Sequence, residues 1–335
     1  MSGSGKELNI LWLWPDILNM HGDRGNAMAL ARICGLYGIE AKVTRATRLS
    51  DDFSFEGADI ALLGAGELIV LPSIVGALSK RFAELKEWLD RGGVLFATGT
   101  TGAALGTHTV RIDGSHIYGL GLLDMECRER EAVLGDDLIF RTTGNTAMPG
   151  RKASAGDGTI PGVDAIPDID MAPGSDMVSG VDATLDGDMF PVVDATSDVA
   201  AIYGIQIQMM DVFLAEGQPP FGETIYGYGN NGKGAEGAVK GGVIFTNALG
   251  PVLVKNPWLT LGLINKALAR KGRGATEAVA ADADAGAGVA AQAVDADAVD
   301  ANAIAGLRFD PKLFGAELAS AAAIKAFNET KERPK

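Results

Sequence analysis

The chain is poor in the residues that most often carry chemistry. Among 335 residues there are two cysteines, Cys34 and Cys127, and three histidines, His21, His108 and His116. Two isolated cysteines build no disulfide framework, and no histidine falls in a Cys-x-x-Cys or His-Glu-x-x-His spacing. The sequence therefore implies neither a metal site nor a cofactor. No stripe of basic residues marks a nucleic-acid face, so no nucleic-acid partner is expected. An apolar run of membrane-spanning length is missing, as is a signal-like hydrophobic stretch. Those two absences predict a cytoplasmic protein with no membrane insertion.

Basic residues are absent from two long segments. Residues 153–198 contain ten Asp and no Lys or Arg, and residues 275–305 contain six acidic residues and no base. The net charge of −14 belongs to these stretches, because the remainder holds 27 acidic against 29 basic residues. The acidity is thus a property of two segments and not of a binding face. Large apolar residues are scarce in both. We therefore expect residues 147–198 to be a disordered acidic insertion and residues 273–306 a flexible Ala/Asp linker. A possible C-terminal helix, within 307–335, carries Leu313, Phe314, Leu318, Ile324 and Phe327. Deleting residues 153–198 is expected to leave the melting temperature nearly unchanged. A fall of many degrees on calorimetry would show the segment to be part of the core.

What remains, residues 1–146 and 199–272, reads as a single α/β domain. Apolar runs at Leu8–Trp14, Ala41–Thr44, Asp59–Leu63 and Val94–Ala97 alternate with helical spacing at Arg24–Tyr37 and Ile74–Trp88. That alternation predicts a mostly parallel sheet flanked by helices, with its site at the carboxyl ends of the strands. After His116 the pattern turns to short strands, and a last helix is expected from about Pro257 to Arg270. The segment Val94 to Gly102 reads as a strand, a tight glycine turn and a short helix, the elbow that presents a nucleophile in many α/β hydrolases. No Cys or Ser occupies this turn. Thr98, Thr100 and Thr101 are present, with His108 the nearest histidine in sequence, but a hydroxyl without a base is a weak nucleophile.

Four stretches together resemble one family. They are Pro15–Asn26 (including His21-Gly22-Asp23-Arg24-Gly25-Asn26), Gly119–Asp124, Tyr226–Gly232 with Glu236-Gly237, and Gly250–Pro257. In order and spacing they are similar to the small glutaminase subunit of lipid II isoglutaminyl synthase, a cobyric-acid-synthase-like class I glutamine amidotransferase. The resemblance implies a flavodoxin-like α/β fold and a subunit that hydrolyses glutamine. It also implies a heterodimer with a Mur-ligase-like (MurT-like) partner, which uses the ammonia to amidate D-glutamate in lipid II during peptidoglycan synthesis. That chemistry needs an elbow Cys thiolate, a His base and backbone N–H groups facing the oxyanion.

Against the family pattern this chain departs at the chemical positions. The resemblance puts Gly99, or with a one-residue slip Thr98, at the nucleophile, and Leu249 at the histidine of a His-Gly-Pro run. Gln206-Ile207-Gln208 stands for a Glu-Asn-His-like segment, and Gly64-Ala65-Gly66 is followed by the apolar Leu68-Ile69-Val70. The glutamine-binding arginine is expected near Ala132, with Arg130 the nearest candidate. His21, Asp23, Arg24, Asn26, Asn230 and Asn231 remain as motif or partner-contact candidates. Asp23 reads equally as a cap for the helix starting near Arg24, and Asn230-Asn231-Gly232 reads first as a turn and second as a ligand or partner contact. The expected function is a degenerate subunit, unable to hydrolyse glutamine and kept as a scaffold or regulator. Two alternatives stay open: an active glutaminase with a rewired site, or a stand-alone amino-acid-binding or interaction module.

Overall fold

The computed structural model describes residues 7–143 and 201–269. The expected acidic insertion, linker and C-terminal helix lie outside them. In the first segment β1 (Glu7–Leu13), α1 (Arg24–Leu36), β2 (Glu40–Ala46) and β3 (Ile60–Leu63) are followed by α2 (Leu71–Ser79) and α3 (Phe82–Asp90). Next come β4 (Val94–Thr98), a 3₁₀ turn at Gly99–Thr101, α4 (Gly102–Leu105), β5 (His108–Val110), β6 (His116–Tyr118) and β7 (Met125–Thr142). The second segment supplies β8 (Ala201–Leu214), β9 (Gly222–Tyr226), β10 (Ala235–Glu236), β11 (Ala238–Lys240), β12 (Val243–Thr246) and α5 (Val252–Lys255). A last helix, α6, covers residues 257–269.

The central sheet has the order β11-β12-β4-β3-β1-β2, parallel throughout except for the β11–β12 pair. The order reverses at β1, between β2 and β3, which makes the carboxyl ends of β1 and β3 the place where a doubly wound sheet opens a crevice. Alternation along β1 supplies both faces. Leu8, Ile10 and Trp12 enter a core with α1, α5 and α6, while Leu11 and Leu13 enter a second core with α2, α3 and α4. Each such side chain contributes about 1.5–3 kcal/mol when fully buried. The first core contains Leu138, Phe140, Ile202, Leu261 and Ile264 alongside Leu8 and Val94, so the two segments share one apolar interior.

A second, largely antiparallel sheet runs β10-β9-β7-β5-β6, with β8 also paired to β7. The sequence pattern anticipates short strands here but underestimates them, since β7 and β8 are 18 and 14 residues long. Charged residues such as Arg128 and Glu129 belong to β7, in register with Asp211 and Met210 of β8. The register of β7 against β8 shifts between Glu129 and Leu134, a bulge beside Met209 and Met210. Nor is the helix expected from Ile74 to Trp88 continuous: it breaks at Lys80-Arg81 into α2 and α3. Arg81 leaves helical dihedrals (φ −118°, ψ 20°). Its guanidinium is drawn to Asp52 and Glu84 and lies 4.7 Å from the Phe53 ring centroid. Those contacts override a periodicity that continues through the break.

Candidate functional site

β4 is buried along its whole length and ends at the elbow. Thr98 still has extended dihedrals (φ −125°, ψ 140°), and Gly99 turns to φ +61°, a region costly for any residue with a Cβ. Of the two positions left open by the sequence, Gly99 is therefore the apex and Thr98 the last residue of the strand. The Thr101 hydroxyl donates to the carbonyls of Gly64 (2.9 Å) and Thr98 (3.0 Å), tying the turn to the end of β3. Gly102 lets α4 close on β12, since a Cβ there would lie 2.1 Å from Cε2 of Phe245.

Leu249 faces the apex. A Cβ placed on Gly99 would be 2.9 Å from Cδ2 of Leu249 and 3.1 Å from Cβ of Ala65. The backbone of Leu249 is held by paired hydrogen bonds with Ile205 (2.7 and 3.3 Å), and its side chain is buried. So 150 residues apart in sequence, the two positions that the resemblance gives to nucleophile and base meet in space, one empty and the other aliphatic. Gly99 and Thr100 line a crevice whose other wall is Ile207–Met210 of β8, with Asn247 beside them.

The two thiols are elsewhere. Cys34 is buried in α1 and Cys127 in β7. Burial pushes them up to about 11 and about 12 respectively, so both are protonated at neutral pH and inert as nucleophiles. His108 is committed on the second sheet. Its ring stacks on His116 (centroids 5.4 Å apart), and Nε2 is 3.5 Å from Oε2 of Glu126. Among the described residues no group of three or more His, Cys, Asp or Glu side chains is arranged to hold a metal ion.

The loop from Trp14 to Asp23 brings its candidates to the carboxyl ends of β1, β3 and β4. Asp23 stands before α1 but its side chain does not cap it, which corrects the capping reading. Asn19 takes that place, its Oδ1 accepting from Arg24 N–H at 2.8 Å. The buried carboxylate of Asp23 instead accepts from the Thr98 hydroxyl (2.9 Å) and from His21 N–H (3.4 Å). Burial raises its pKa above the ordinary Asp value, opposed by these donors. Asn26 is also buried, and its Oδ1 accepts from Leu253 N–H at 2.9 Å, joining α1 to α5. Arg24 is exposed.

The asparagines serve the interior. Asn230 is fully buried, so as a partner contact it is corrected: it presents no surface. Its Oδ1 accepts from Gly237 N–H (2.7 Å) and Asn247 Nδ2 (2.8 Å), and its Nδ2 donates to the Gly237 carbonyl (2.9 Å). Asn231 donates from Nδ2 to the Val212 carbonyl at 2.8 Å. Around them lies a polar network that sequence reasoning missed. Glu236, with no exposed surface, accepts from Thr246 Oγ1 (2.7 Å), Asn247 N–H (2.8 Å) and Asn247 Nδ2 (2.9 Å). Gln208 extends the network by donating to the Asn230 carbonyl at 2.9 Å. The available signal was a lone acidic residue, Glu236, between glycine and apolar neighbours.

Arg130 projects from the β7 bulge. Its guanidinium pairs with the Asp211 carboxylate, donates to the Tyr228 hydroxyl (3.0 Å) and lies 4.9 Å from the Tyr228 ring centroid. A bulge commonly re-aims a side chain in this way. With its charge already matched by Asp211, Arg130 is not a free anion receptor in this structure.

These features define an α/β protein of the doubly wound kind with a nucleophile-elbow scaffold at the carboxyl edge of its sheet. No protein-family model matches the chain. It is 26% identical over 270 residues to the GatD subunit of the glutamine-hydrolyzing lipid II isoglutaminyl synthase of Streptococcus pneumoniae, across 79% of this chain and 82% of that protein. To the GatD subunit of Staphylococcus aureus it is 28% identical over 138 residues, 41% of this chain and 56% of that protein. The chain is a distant homologue of GatD. Among solved structures it overlaps PurLQS from Thermotoga maritima (TM-score 0.40, 11% identity, 73% of this chain and 86% of that one). It also overlaps a glutamine amidotransferase (TM-score 0.41, 15% identity, 77% and 98%). No helix among the described residues is long and apolar enough to cross a membrane.

Proposed function

We propose that this chain is the amidotransferase-like subunit of a lipid II isoglutaminyl synthase complex, retained as a scaffold for a Mur-ligase-like (MurT-like) partner and unable to hydrolyse glutamine. The observation that carries this reading is the apex of the elbow: Gly99 has no side chain, and the buried Leu249 lies where a base would have to stand. An acyl transfer needs a nucleophile and a base in mutual reach, and neither glycine nor leucine supplies one. No other thiol takes over, since Cys34 and Cys127 are both buried and protonated. The nitrogen then reaches the ligase as ammonium from solution.

The test is isoglutaminyl product formation by the full chain with its Mur-ligase-like partner, comparing glutamine with ammonium as donor. Product with ammonium alone is expected. Product with glutamine at a comparable rate overturns the reading and requires a nucleophile elsewhere in the chain.

A further inference from the structure

The cavity at the switch point of the central sheet has not yet been given a task. It measures about 10 Å3 and is walled by Asp23, Asn26, Thr98, Gly64, Trp12 and Phe96, among others. That is room for about one water-sized occupant. Its position is where doubly wound sheets place their ligands, outside the carboxyl ends of β1 and β3. The polar part of the wall is built rather than incidental. Asp23, Asn26 and Thr98 expose 5%, 4% and 1% of their surface, and each is fixed by a contact far along the chain. Thr98 reaches Asp23 across 75 residues, and Asn26 reaches Leu253 across 227.

The acceptor balance selects the occupant. A carboxylate offers about four acceptor positions. Asp23 uses three of them, for the Thr98 hydroxyl, His21 N–H and Ala65 N–H. The Thr98 hydroxyl gives its proton to Asp23 and keeps its lone pairs, and Asn26 Oδ1 has one acceptance filled by Leu253 N–H. The wall is therefore rich in acceptors and carries a single negative charge, with no Lys or Arg in it. An anion is excluded by the carboxylate. A divalent ion demands more oxygen ligands than these three side chains provide. A small monovalent cation with its own N–H donors matches the balance, and the rings of Trp12 and Phe96 in the same wall are also favourable to a cation.

We propose that this cavity is a binding site for the ammonium ion, held by Asp23 with Thr98 and Asn26. Raised burial cost at the carboxylate fits a site whose counter-ion comes from outside the chain. The inference rests on the cavity and not on the scaffold reading, so either can fail without the other.

The experiment compares the melting temperature of the full chain in ammonium, sodium and potassium chloride at one pH and matched ionic strength. The same samples are followed by 15N-labelled ammonium NMR for a resonance protected from exchange. Wild type is expected to gain about 5 °C or more in ammonium at a hundredfold excess over Kd, with a protected ammonium signal. Asp23→Asn and Thr98→Val are each expected to lose both the gain and the signal. Equal melting in all three salts with no protected signal overturns the proposal in favour of a structural water. An equal gain in potassium overturns the choice of ammonium, and a gain retained in Asp23→Asn overturns the assignment to this cavity. The wild-type comparison decides the matter even if a variant fails to fold.

Discussion

Neither Gly99→Cys nor Leu249→His alone is expected to release glutamate from glutamine, whereas the double variant is expected to do so at least about 100-fold faster than either, the usual contribution of a positioned base. The geometry behind this is the facing pair at the elbow. A Cβ on Gly99 comes within 2.9 Å of Leu249 Cδ2, the flexible end of a side chain, and 3.1 Å of Ala65 Cβ. The single cysteine variant thus meets crowding, a left-handed backbone costing about 1–2 kcal/mol, and no base. Replacing Leu249 by histidine puts an imidazole against the new thiol, on a backbone already pinned to Ile205. Steady-state glutamate release is the measurement. Appreciable turnover by Gly99→Cys alone would mean that another group in the crevice acts as base. A silent but folded double variant would mean that the loss extends beyond these two side chains, for instance to Arg130, whose charge is engaged by Asp211.

The second large effect is on stability. Glu236→Ala is expected to cost about 3 kcal/mol or more, because the Thr246 hydroxyl and two N–H donors of Asn247 lose their acceptor inside the protein. For a domain of this size that is a fall of about 6–12 °C in melting temperature. The pH dependence has a definite sign. Burial raises the Glu236 pKa above its ordinary value of 4.5, against the opposing hydrogen bonds of Asn247 and Thr246. A carboxyl whose folded pKa is raised binds its proton more tightly in the folded state. Its contribution to stability is thus greatest below the unfolded value and declines as pH rises through the folded one. The advantage of wild type over Glu236→Ala should therefore widen as the pH is lowered toward 4.5 and be smaller at neutral pH. Asp23 shifts in the same direction but is present in both proteins, so it cancels in the difference. A variant that melts within about 2 °C of wild type at every pH would show the network to be dispensable.

Much of this architecture can be read along the chain. Leu8–Trp14, Asp59–Leu63 and Val94–Ala97 lie within a residue or so of β1, β3 and β4, and the spacing of Ala27, Leu30 and Cys34 is the buried face of α1. These are local signals, periods of two and of 3.6 residues, and they survive because each buried face is wide and continuous. The elbow was legible for the same reason. What the pattern misjudged was the length of β7 and β8, the former running through charged residues such as Arg128 and Glu129. The break between α2 and α3 was also illegible, because its cause is the contact of Arg81 with Asp52 and Phe53, nearly 30 residues upstream.

By itself the sequence determined that the fold is α/β, that the acidity is confined to two segments, and that no Cys, Ser or neighbouring base stands at the strand–turn–helix elbow. Only the tertiary structure decided that Gly99 rather than Thr98 is the apex, and that Leu249 closes over it. It also decided that Asp23 turns away from its helix to Thr98, and that Glu236, Asn230 and Asn247 form one buried cluster. The physical reason is common to all of these. Side-chain periodicity reports which face of an element is buried, but strand order and register choose what that face meets, and every one of these contacts except those among Asn230, Glu236 and Asn247 joins residues far apart in the chain.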